Sequence, residues 1–290
     1  MAYYKVYSLI NNSKNYSVQT NKRIIFFEKK TKISKYNSKN IINKRILIIL
    51  FLLYIKIQIS ISNNPVITLK INKGTKSKIM SINFKDYLSE VNVNGEFMTT
   101  LDNYYQINED NSTVKIILKS QITNCNKLFH NCDKITEIKL ENFDSSNIES
   151  LSESFYGCSQ LKSIDLSDWD VSKVTNINSL FENCGQLTSI KLPDFTKSNI
   201  TSLVNVFRSC KKLQSLNLSQ LDTSKVTNMN SMFYKCQTLK TLDLSNFDTY
   251  NLIDTKNMFF DCKNFKETIY QVLIHLNLVM LKPCSDNVML

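Results

Sequence analysis

Glycine is scarce in this chain: four residues in 290, beside three prolines, two histidines and one tryptophan. The shortage excludes a Gly-rich phosphate-cradling loop and the Gly-rich calcium-binding nonapeptide. It also removes the usual source of positive φ at tight turns, so Asp, Asn and Ser must do that work. Asp144, Asp170 and Asp222 stand two residues before Ser146, Ser172 and Ser224, and Asp248 keeps the same phase. That placement suits turns in which the carboxylate accepts a backbone N–H two residues on. A calcium ladder does not fit, because Thr196 and Ser198 break the carboxylate column. His130 and His275 accompany no nucleophile motif, and the chain has neither a Cys-x-x-Cys hook nor a His pair for zinc. Asp168 and Asp170 flank Trp169, where a turn carboxylate and a core aromatic suffice as explanation. No catalytic, cofactor-binding or metal-ligating residue is expected, and the chain is not expected to be an enzyme.

What the chain does have is a repeat. Six Phe-x-x-Cys tetrads keep one register, with Cys132, Cys158, Cys184, Cys210, Cys236 and Cys262 each 26 residues after the last. Phe129, Phe155, Phe181, Phe207, Phe233 and Phe259 share the phase, as do Ile135, Leu161, Leu187, Leu213, Leu239 and Phe265. Pairs such as Ile164 and Leu166, or Leu242 and Leu244, alternate with polar residues, which is the pattern of a half-buried strand. Val226, Met229, Met232, Phe233 and Cys236 are spaced near 3.6, which predicts a short helix or 3₁₀ turn. A unit with one apolar face is too small to bury a core alone and must stack on its neighbours.

The stretch Leu239-Lys-Thr-Leu-Asp-Leu-Ser-Asn-Phe-Asp248, and Thr223-Ser-Lys-Val-Thr-Asn-Met-Asn-Ser-Met-Phe233 followed by Tyr-Lys-Cys236, resemble the repeat of BspA-like leucine-rich repeat surface proteins of bacteria and protists. The resemblance covers about half the chain; Pro193-Asp-Phe-Thr196 departs from its Asp-containing turn. It implies a cell-surface or secreted protein, acting in adhesion or host contact, with no common enzymatic activity. The expected fold class is α/β, a leucine-rich-type parallel solenoid over 121–265 with one short strand plus a short helix or 3₁₀ turn per 26-residue repeat.

The net charge of +11 suggests nucleic acid until its distribution is followed. Residues 1–45 hold eleven Lys or Arg and one Glu, whereas 57–290 hold 24 basic and 24 acidic residues. A phosphate-tracking groove needs clustered cations on the folded surface, so nucleic acid is not an expected partner. The basic leader, 1–45, is either cytoplasmic or a mis-called start. After it, 46–62 holds an apolar run of about ten residues, interrupted by Lys56 and ending in small residues. This is a signal peptide or a type II signal anchor, which places the repeats on the cell surface or outside the cell and ties the chain to the membrane if uncleaved. Residues 63–120 form a strand-rich cap, 121–265 the repeats, and 266–290 a divergent cap or a truncated end, because the period fails at Tyr270 and Val288.

The six periodic cysteines occupy one core-facing site per repeat and act as packing residues with weak S–H donors; side chains pointing one way are poorly placed for disulfides. The exposed strand face supplies the candidate binding surface, in two polar columns: Glu137, Ser163, Ser189, Ser215 and Thr241, and Lys139, Asp165, Lys191, Asn217 and Asp243. The expected partner is a protein or glycan on another cell or matrix. Sequons at Asn111, Asn199 and Asn217 fit an exported chain, although a glycan on Asn217 would occupy that same face. His130, Tyr156, Glu182, Arg208, Tyr234 and Phe260 form a column that accepts any residue type, and so read as surface. The alternative function is an intracellular scaffold for protein–protein interaction.

Overall fold

The structure, a computed structural model, describes residues 64–265 together with Ile49 and Leu52. The chain divides into two units, Met1–Gln58 and Ile59–Leu290. In the first, only Ile49 and Leu52 are described, both helical and exposed. The leader, most of 46–62 and the tail from 266 lie outside the described residues. Among the described residues, no helix is long and apolar enough to cross a membrane.

Among the described residues six strands precede the repeats: β1 (Val66–Ile71), β2 (Gly74–Lys78), β3 (Leu88–Val93), β4 (Glu96–Phe97), β5 (Tyr104–Ile107) and β6 (Ser112–Leu118), with a 3₁₀ turn at Ile82–Tyr87. Three more belong to the repeats: β7 (Ile135–Glu141), β8 (Ser163–Asp165) and β9 (Ser189–Lys191). They form one mixed seven-stranded sheet in the order β4-β3-β6-β1-β7-β8-β9, while β2 and β5 pair apart. Alternate residues of β1 and β6 (Ile67, Leu69, Ile71; Val114, Ile116, Leu118) are fully buried, as period-2 patterning requires. β1 lies antiparallel against β7, with Lys70 opposite Glu137 and Thr68 opposite Lys139. It thereby covers the first edge of the parallel set β7-β8-β9.

The leucine-rich-type parallel solenoid expected from the sequence is not formed. The molecule is mostly sheet, the sheet is mixed, and no repeat contains a helix among the described residues. Only the first three repeats hold a strand; Leu216–Leu218 and Leu242–Leu244 lie outside any strand. Where the apolar spacing predicts a short helix or 3₁₀ turn, the structure has a run of separate turns. Ser154, Tyr156 and Cys158 donate their N–H groups to carbonyls three residues back, at Leu151, Glu153 and Phe155. The residues between them turn outward: Leu151, Glu153, Phe155 and Gly157 donate to Asn176, Asn178, Leu180 and Glu182 of the next repeat, at 2.8–3.0 Å. Half the N–H groups thus bond locally and half across the stack. An α-helix would keep nearly all of them within the segment.

This alternation requires two left-handed residues per repeat. One set is Lys127, Glu153, Ser179, Asn205, Ser231 and Asn257; the other is Asn131, Gly157, Asn183, Ser209, Lys235 and Asp261, all with φ between 55° and 70°. The fold is held by columns. The rings of Phe129, Phe155, Phe181, Phe207, Phe233 and Phe259 stack with centroids 5.3–5.8 Å apart. Ile148, Leu151, Leu161 and their equivalents bury the flanks.

Candidate functional site

All ten residues of the two candidate columns are exposed. Glu137, Ser163 and Ser189 stand in register across β7, β8 and β9, and Asp165 pairs with Lys191. Ser215, Asn217, Thr241 and Asp243 continue the phase beyond the last strand. Much of the second column is already engaged. Lys191 Nζ lies 2.6 Å from Asp165 Oδ2 and Lys139 Nζ 2.8 Å from Glu141. Asp165, Asn217 and Asp243 accept the N–H groups of Ser167, Ser219 and Ser245, two residues on. The Lys191 ammonium, followed by the Ser167 hydroxyl and amide, lowers the Asp165 carboxyl to about 2.

The same turn chemistry operates at the Asp column, where Ser146, Ser172, Ser224 and Tyr250 N–H groups bond Asp144, Asp170, Asp222 and Asp248 at 2.9–3.0 Å. In the repeat with Pro193, Asp194 takes over and accepts from Thr196 N–H at 2.9 Å. The turn has moved two residues earlier. Leu166 N–H bonds Lys191 O across the stack; one repeat later Pro193 follows Leu192, the parallel strands end, and a cavity of about 240 Å³ opens between Leu192, Pro193, Asn217 and Leu218.

The seven described cysteines form a buried ladder. Five of them donate to the carbonyl of the preceding repeat's phenylalanine: Cys158 to Phe129, Cys184 to Phe155, Cys210 to Phe181, Cys236 to Phe207 and Cys262 to Phe233, at 3.0–3.2 Å. Burial pushes the Cys125 and Cys158 thiols up to about 12 and those of Cys132, Cys184, Cys210 and Cys236 upward as well. At neutral pH the ladder is neither nucleophilic nor ready to bind metal.

One array went unrecognised in the sequence. The column His130, Tyr156, Glu182, Arg208, Tyr234 and Phe260 is a ladder of flat side chains. His130 stacks on Tyr156 at 4.7 Å, Glu182 pairs with Arg208 at 3.4 Å, Arg208 lies 4.1 Å above the Tyr234 ring, and Tyr234 stacks on Phe260 at 5.0 Å. His130 Nδ1 lies 3.2 Å from Glu153, at an angle too poor for a hydrogen bond. Burial, with Lys78 and Lys127 opposing Glu153, lowers its pKa. The available signal was composition, since tyrosine, arginine and histidine recur at a position where small polar residues would serve a bland surface. Beside this column, a second depression of about 510 Å³ crosses four repeats, from Gln160 to Gln237.

One family model matches the chain twice, at residues 99–195 and again at 186–277, which together span well over half of it. This chain belongs to the family described as "Mycoplasma protein of unknown function, DUF285". No curated protein matches it, and no solved structure does. The DUF285 match takes in the last strands of the N-terminal region as well as the repeats, so β5, β6 and the Phe-x-x-Cys columns all fall within it.

Proposed function

We propose that this DUF285 protein is a non-enzymatic recognition protein, displayed on the cell surface or secreted, that binds a protein or glycan on another cell or matrix. The observation that carries the reading is the lateral ladder His130–Tyr156, Glu182–Arg208, Tyr234–Phe260. It offers Tyr and Arg, the residue types that dominate binding hot spots. Their positions are set in advance by stacking, so little side-chain freedom is lost on binding. The exposed columns on and beyond β7-β8-β9 supply polar contacts around it. The repeat motifs resemble those of BspA-like surface proteins, and the basic leader followed by the apolar 46–62 segment supports export through a cleaved signal or an uncleaved anchor.

A second reading, an intracellular scaffold, is favoured by the thiols of Cys125, Cys132, Cys158, Cys184, Cys210 and Cys236, none of which is in a disulfide, since exported chains tend to oxidise theirs. Burial of all six shields them from oxidant, which leaves the first reading ahead. A C-terminal tag tested with antibody on intact and permeabilised cells separates the two. Staining of intact cells, or tag recovered from the medium, is expected. Staining only after permeabilisation would overturn display at the surface.

A further inference from the structure

The 510 Å³ depression has an unusual lining. Its side chains are carboxamides (Gln160, Asn183, Gln186, Gln237), hydroxyls and two ammonium groups, Lys211 and Lys212, with no aromatic ring, no aliphatic side chain and no carboxylate. Both lysines are exposed, and neither forms an ion pair among the described residues. Two acids that border the lining are occupied elsewhere: Glu182, next to Asn183, holds Arg208, and Asp261 accepts from Gln237 Nε2 at 2.9 Å and pairs with Lys263. Gly185 keeps the middle of the depression open. A Cβ there would meet nothing closer than Ser159 O at 4.0 Å.

We propose that this cleft binds an acidic oligosaccharide, the carboxylate or sulfate groups resting on Lys211 and Lys212 and the hydroxyls on the carboxamides. The volume falls within the roughly 300–1,000 Å³ of small-ligand sites, but the lining inverts their usual apolar character. Sugar hydroxyls are donors and acceptors at once, as carboxamides are, so Gln160 and Gln186 match them without regard to direction. A neutral sugar finds no ring to dock on, and an apolar ligand finds nothing. Gln160, Gln186, Lys212 and Thr238 occupy one phase of successive repeats, so sugar rings laid along the stack meet an equivalent position in each repeat. The inference rests on the recognition reading above and names its ligand class.

The test is binding by the full chain, in about 0.15 M salt to screen loose attraction between exposed charges, of labelled heparin hexasaccharide and tetragalacturonate, with maltohexaose as the neutral probe. Both acidic probes are expected to bind and maltohexaose is not. Lys211→Gln with Lys212→Gln should weaken binding tenfold or more. Gly185→Trp, which fills the cleft without altering charge, should do the same, with circular dichroism confirming that it folds. Lys29→Gln with Lys30→Gln, in the basic leader, should leave binding unchanged. The proposal falls if neither acidic probe binds, if only the leader variant weakens binding, or if a single-stranded oligonucleotide displaces the hexasaccharide equally well at equal charge. Any of these leaves surface display standing, since tag accessibility decides that separately.

Discussion

At the scale of single residues, the repeats depend on positions where the backbone is left-handed, and Lys127, Glu153 and Lys235 occupy them although Gly, Asn or Asp would do so at lower cost. Lys235 has φ 59°, a conformation that costs a residue with a Cβ about 1–2 kcal/mol. Lys235→Gly is therefore expected to raise stability by about 1 kcal/mol, after the entropy lost to glycine, measured as a higher urea midpoint. A lower midpoint would mean that the Lys235 ammonium, 5.2 Å from the Tyr234 ring, matters more than the strain. Gly157 sits at the equivalent position, where a Cβ would collide with the Asn131 side chain. The cysteines pose a different question, because each thiol both fills space and donates. Phe155 O accepts Cys158 N–H as well as Cys184 S–H, so removing the thiol orphans nothing. Cys184→Ala should cost only about 1–2 kcal/mol. In the native protein the seven described cysteines should resist iodoacetamide; peptide mapping that finds any of them labelled before unfolding would contradict the buried ladder.

At the scale of elements, a run of separate turns stands where a short helix or 3₁₀ turn was expected, and the reason lies in what periodicity reports. Val226, Met229, Met232, Phe233 and Cys236 are all buried, so the spacing identified the inward positions correctly. It carried no information about where the intervening N–H groups bond. A helix and a run of turns with alternate N–H groups aimed at the next repeat bury the same side chains. Strands were likewise legible as alternation, yet among the described repeats only β7, β8 and β9 form, since a strand needs a bonded neighbour as well as a pattern. The stacked ring column couples the elements. Phe181, fully buried between Phe155 and Phe207, should cost about 3–5 kcal/mol on change to Ala. Phe259, stacked between Phe233 and Phe265 but only half-buried, should cost less, because part of its ring already meets water. Equal losses in chemical denaturation would show that the stack does not transmit packing from turn to turn.

Over the whole molecule, the turn carboxylates set the response to acid. Asp144, Asp165, Asp170, Asp194, Asp222 and Asp243 are each held below the ordinary 3.8 by a neighbouring lysine, hydroxyl or amide. A carboxyl depressed in the folded state contributes stability above its unfolded pKa and loses it as pH falls through the folded one. The urea midpoint should therefore stay level down to about pH 5, then decline below pH 4 and keep declining toward pH 2, where Asp165 titrates. The thiols act in the opposite sense, opposing unfolding less as pH rises above 9. A flat acid limb would mean that the turns keep their shape without their charge. The sequence by itself determined the 26-residue period, the buried columns and the Asp turns, because burial and local side-chain bonds depend on residue type and spacing. Only the tertiary structure decided the mixed sheet, the cover that β1 places on β7, the inter-repeat N–H bonds and the stacked lateral ladder. Those depend on which neighbour each group meets across the stack, and a one-dimensional pattern does not carry that.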